Sequence, residues 1–165
     1  MLQICFYLQI LLSQINLSAT CEGSKYNFIS IDIYSNTDVE IVDLNSNYLK
    51  QAFFCSTYSV WAKIQGASYI WLSQNPQSAA TEYFSSRFHI IGEPSDGSIQ
   101  VACDDFVDVF VNGIKADCSG AGFTSSKSWN ILPALRSSLN TVLFKATNYQ
   151  GIGGLTFKIT IQSKI

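Results

Sequence analysis

The chain has 165 residues, 47% of them hydrophobic, with 10 Lys and Arg against 12 Asp and Glu and a net charge of −2. That balance excludes a nucleic-acid surface, which needs a basic stripe, and the absence of like-charge blocks and low-complexity tails excludes a long charged or disordered arm. The length suits one domain with a real core and is too short for two.

Taken in chain order, residues 4–12 (ICFYLQILL) form the first apolar run. It is too short for a membrane-spanning helix, which takes ~20 residues. Small residues follow at Ser18, Ala19 and Thr20, so residues 1–20 read as a secretory signal peptide cleaved before Cys21 or Glu22. No Lys or Arg precedes the run, and Gln3 and Gln9 interrupt it, so a buried strand or helix is the other reading. Cleavage would remove Cys5 and leave Cys21, Cys55, Cys103 and Cys118 in a domain of residues 21–165. An even count in a secreted chain predicts two disulfides with three possible connectivities. Zinc spacing is absent. The sequon Asn16-Leu17-Ser18 falls in the leader, so no N-glycan is expected on the mature chain.

Beyond the leader the pattern is of strands. Ile29, Ile31 and Ile33 alternate with Ser30, Asp32 and Tyr34. Short strands are predicted at 59–64 and 69–72, and at 87–91 and 99–103 on either side of the turn-rich GEPSDG of residues 92–97. Val107, Val109 and Val111 take one face, and Phe106, Asp108 and Phe110 the other. Asn112-Gly113 then closes a type I′ hairpin, whose central residues both need positive φ. In strict register that turn pairs Cys103 with position 122. A Cys103–Cys118 bond would have to span about 13 Å unless the chain after Asp117 folds back. Residues 131–139 hold at most one helical turn, broken by Pro133. Val142, Phe144 and Ala146 alternate, as do Leu155, Phe157, Ile159 and Ile161. Many short strands with turns between them predict an all-β sandwich or barrel.

Several segments also fall in a known order: ASYIWLS (67–73), EYFSSRFHI (82–90), VACDDFVDVFVNG (101–113), Trp129 and LNTVLFKATNYQGIGGLTFKITI (139–161). Together they resemble the galactose-binding-domain-like jelly roll that accompanies glycoside hydrolases and extracellular proteins. The resemblance covers residues 59–162, with Tyr69 and Ser138 standing where the family has Trp and Gly. It implies a β-sandwich of two antiparallel sheets, with carbohydrate binding or structural support as its commonest roles. The fold alone implies neither.

The residues do not specify an enzyme. His89 is the only histidine and no triad surrounds it. Asp104 and Asp105 would point to opposite faces of a strand, a poor pair for glycoside hydrolysis, where the acids sit ~5 to 10 Å apart. Calcium has candidate ligands in Asp104, Asp105, Asp108 and Asp117. It takes six to eight oxygens, and solvated turn acids are the alternative. A sugar would stack on aromatic rings near polar groups. The candidates are Trp129, Asn148, Tyr149 and Gln150, together with Trp61; Trp71 reads as core. The expected function is a secreted, non-catalytic module that binds glycan or adheres. The competing reading is a structural subunit that forms a homo-oligomer or filament, by strand addition from residues 22–49 or through the Phe106–Phe110 face.

Overall fold

Alternating side chains draw most of the chain into strands. The computed structural model describes residues 15–16, 27–74, 78–117, 120 and 122–165. Its first strands are β1 (Ile15–Asn16), β2 (Phe28–Tyr34), β3 (Glu40–Val42), β4 (Tyr48–Gln51), β5 (Phe53–Phe54) and β6 (Ile70–Trp71). Then come β7 (Ala80–His89), β8 (Glu93–Asp104), β9 (Phe106–Val111), β10 (Ile114–Lys115) and β11 (Lys127–Asn130). A 3-10 turn (Leu132–Ala134) precedes β12 (Leu139–Asn148) and β13 (Gly154–Lys164).

The strands form two antiparallel sheets. In one, β13 is central, with β8 and then β11 on one side. On its other side β2 runs along Lys158–Lys164 and β6 meets Leu155, with β1 and β5 outermost. The second sheet runs β10-β9-β12-β7-β3-β4. Its centre is the ten-residue ladder from Leu139 opposite His89 to Asn148 opposite Ala80.

The core lies between the sheets. Leu155, Phe157, Ile159 and Ile161 from one sheet meet Val107, Val109, Val142 and Phe144 from the other, all fully buried. Phe144 stacks on Phe157 with centroids 4.2 Å apart, and Trp71 packs on Phe84 at 5.4 Å. Each such ring contributes about 1.5–3 kcal/mol by leaving water. The fold is thus all-β, a jelly-roll β-sandwich.

Several expectations change. Residues 59–64 form no strand; they turn, with Trp61 N–H bonded to Tyr58 O at 3.0 Å. GEPSDG is not a connector. Only Gly92, at φ +84, turns, and β8 starts at Glu93. Pro94 is tolerated at this strand end, opposite Ser163 where β13 shifts register. Strands β3, β4 and β11 were not foreseen. The alternation at Ile29, Ile31 and Ile33 is present as β2, which pairs within its own chain, along β13. The Asn112-Gly113 hairpin is as expected, with φ of 51 and 80.

Candidate functional site

The link from β5 to β6 carries hydroxyls, glycine and aromatics without alternation, so it follows tertiary contacts instead of a ladder. Ala62 N–H bonds to Phe123 O at 2.7 Å, and Gly66 turns at φ +84 beside the Tyr34 ring. Trp61 becomes the hub of an aromatic cluster. Its ring lies 4.6 Å from Tyr69, 6.0 Å from Phe123 and 6.2 Å from Tyr58. Ile152 packs on the same cluster. Gly154 must be glycine for space: a Cβ there would lie 2.4 Å from the Trp61 ring.

Tyr58, Trp61 and Tyr69 wall an open hollow of about 540 Å³. Tyr58, 59% exposed, and Phe54 stand at its rim, while Trp61 and Tyr69 are buried. Thr57, Lys63, Gln65 and Ser68 supply polar groups. Among the described residues no carboxylate lines it. Lys63 has no ion-pair partner among the described residues. The Cys55 thiol at the wall is pushed up to about 12 by burial and stays protonated. Such a hollow offers apolar side chains and hydrogen-bonding groups.

Beside it β8 ends in the two aspartates. Asp104 is 8% exposed. Burial, then the hydrogen bond and charge of Asp105, push its carboxyl up to about 7. Asp105 Oδ2 accepts Tyr149 N–H at 2.8 Å, and its own N–H donates to Thr147 O at 2.8 Å. The pair therefore anchors the loop that follows β12. Asp108 does not join them. It lies on the outer face of β9, 2.9 Å from Lys115 Nζ. Asp117 is exposed past the hairpin. Among the described residues no group of three or more His, Cys, Asp or Glu could hold a metal ion. Two touching carboxyls fall well short of the six to eight oxygens calcium takes.

The proposed sugar ligands are also dispersed. Asn148 is buried and donates to Ser78 O and Gly151 O, both at 3.0 Å, so it shapes the loop from within. Tyr149 is 64% exposed and Gln150 is exposed. Trp129 sits on β11 opposite Ile99, half-buried against the core. Trp71 is core, and His89 ends β7 exposed. Cys55 and Cys103 are free thiols, so they are not joined to each other. Cys103 Sγ donates to Phe106 O at 3.3 Å. Cys21 and Cys118, like residues 1–14 and 17–20 of the expected leader, lie outside the described residues. Sequence reading missed Tyr58, Lys63 and Gln65. Their only signal was an aromatic and polar stretch without strand period.

No family model matches the chain. No curated protein does either. Solved structures do. An alpha-L-rhamnosidase from Streptomyces avermitilis, complexed with L-rhamnose, is similar over 90% of this chain and 17% of the enzyme (TM-score 0.53, 15% identity). A family 35 carbohydrate binding module from Clostridium thermocellum is similar over 78% of this chain and 96% of the module (TM-score 0.47, 12% identity). A family 36 module, in complex with calcium and xylotriose, follows at 81% and 98% (TM-score 0.38, 12% identity). The rhamnosidase likeness fits the two antiparallel sheets, and what is shared is the fold of a jelly-roll β-sandwich.

Proposed function

We propose that the chain is a non-catalytic, secreted carbohydrate-binding module whose glycan sits in the hollow between Tyr58 and Gln65. The observation that carries this is the hollow itself: aromatic side chains at the rim, hydroxyl, amide and ammonium groups around it, and no carboxylate among the described residues. A sugar ring offers both an apolar face and a fringe of hydroxyls, and the wall answers both. Tyr58 stacks on the ring, while Lys63 and Gln65 bond its oxygens.

Retention on immobilised polysaccharides tests it. The intact protein is retarded, and Tyr58→Ala weakens retention at least about tenfold, the loss of one stacking contact near 1.4 kcal/mol. Passage without retardation over plant, fungal and animal polysaccharides overturns the reading. Any calcium taken up would meet Asp104 and Asp105, and retention that is equal with calcium and with chelator removes it from binding. Secretion is tested by the N-terminus of protein recovered from culture medium, which starts at Cys21 or Glu22 if the leader is cleaved.

A second reading, assembly into a larger structure, is favoured by a different feature. Edge strands β4 and β5 expose Tyr48, Leu49, Phe53 and Phe54.

A further inference from the structure

The hollow adjoins a polar surface. Thr156, at its wall, is followed on the same face of β13 by Lys158, Thr160 and Gln162. Across the ladders Lys158 lies opposite Tyr34 on β2 and Gln100 on β8, and Thr160 lies opposite Asp32 and Ser98. Tyr34 also touches the rim. A Cβ on Gly66, between the lining residues Gln65 and Ala67, would lie 2.7 Å from its ring. The outer face of this sheet therefore begins beside the hollow.

That face is ordered before any ligand arrives. Lys158 Nζ is 3.1 Å from Asp32 Oδ2 and 5.3 Å from the centroid of the Tyr34 ring. Asp32 also accepts from Thr160 Oγ1 at 2.7 Å and from Tyr34 OH at 3.1 Å. Gln100 Nε2 donates to Ser126 Oγ at 2.8 Å. Hydrogen-bonding capacity remains. An ammonium has three donors and an amide keeps its carbonyl oxygen. Groups already fixed lose little side-chain freedom on binding. The outer face of the other sheet is unlike it: Tyr83, Phe110 and Leu143 line a largely apolar depression there.

We propose that the hollow is one end of a longer groove, and that its ligand is an internal stretch of a linear polysaccharide running from Tyr58 past Tyr34 and along Lys158 and Gln100. This rests on the carbohydrate reading above and adds the form of the ligand. From Thr156 to Gln162 the strand rises about 20 Å, more than one sugar ring covers. Bound this way, each further ring adds contacts to groups already in place.

Isothermal titration of the full chain with xylo-, manno- and cello-oligosaccharides, from disaccharide to hexasaccharide, tests the groove. In a series that binds, affinity rises about tenfold or more with length. In the double variant Lys158→Ala/Gln100→Ala, folded by circular dichroism, the hexasaccharide-to-disaccharide ratio falls to within about twofold of unity. Equal wild-type affinity for short and long members overturns the groove and leaves a pocket for a chain end. A length dependence that the double variant keeps overturns it too. No binding in any of the three series overturns the groove, and retention on the immobilised polysaccharides decides the carbohydrate reading separately.

Discussion

Asp104 and Asp105 touch at the end of β8 with little water around the first of them. Two carboxylates so placed cannot both ionise freely, so one proton is retained. Asp104 holds it: burial and its neighbour push the group from 3.8 up to about 7. Cys103 and Tyr69, which feel the charge of Asp104, are pushed up chiefly by burial and stay neutral. The unfolded chain releases the proton near pH 4 and the folded chain near pH 7. The stability this group contributes is therefore full below about pH 4 and lost as pH rises through 7. With chelator present, Tm falls between pH 5 and 8 by an amount on the order of 1–2 kcal/mol, a few degrees. Asp104→Asn, which needs no proton, lacks that part of the fall. A variant whose pH profile parallels the wild type excludes the shared proton. Residues of this kind were half legible. Asn112 and Gly113 could be read because they answer local needs of the backbone, whereas the role of Asn140 was not read. Asn112 and Gly113 take positive φ, and Asn140 bonds Arg136 O and Ser138 O at 2.8 Å each. Trp61 and Tyr58 could not be placed, because partners distant in sequence, Phe123 and Gly154, decide which of their faces is covered.

Strands that alternate and lie across the core were readable, and strands at the margins were not. β13 shows its period in the sequence because its inner side chains are buried throughout, Leu155 to Ile161. β4 has no period to show, since Tyr48, Leu49, Lys50 and Gln51 are all exposed at a sheet edge. β11 is hidden for a similar reason: three of its four residues are exposed and only Trp129 turns inward. The opening of β8 is masked by Pro and Gly, which elsewhere mark turns, yet here the long ladder to β13 outweighs local propensity. β1 stands at the other extreme. Ile15–Asn16 makes two pairs with β2, whereas β2 makes seven with β13. Cleavage before Cys21 or Glu22 would remove β1 and leave β2 held by β13. A chain starting at Cys21 is accordingly expected to keep its β-type circular dichroism and a Tm within about 4 °C of the full chain, a change of no more than roughly 1 kcal/mol at this size. A loss of cooperative melting in the shortened chain would make residues 1–20 part of the fold and contradict the leader.

At the scale of the molecule, one flank is unlike the rest. β4 closes one sheet and β5 the other, and only Ala52 separates them in sequence, so one short segment forms an edge of both layers. Natural sheets protect such edges with charge, proline or cover. This one offers a single charge, and Lys50 is turned onto its own chain, donating to Leu72 O at 2.9 Å and lying 5.6 Å from the Phe53 ring centroid. Nothing on the flank repels a second copy, and Tyr48, Leu49, Phe53 and Phe54 reward its approach by leaving water. An antiparallel two-fold pairing of β4 with its copy would satisfy both edges at once. Phe54 belongs to the flank and to the rim of the hollow, so pairing there and glycan binding are expected to influence each other. Sedimentation velocity over a hundredfold range of concentration should show self-association in the intact chain. Leu49→Lys, which puts an unpaired charge on the edge without touching the core, should shift that association at least tenfold in concentration, about 1.4 kcal/mol. A wild type that sediments as one species, unchanged across the range and indistinguishable from Leu49→Lys, would remove assembly through this edge and leave the hollow as the functional surface.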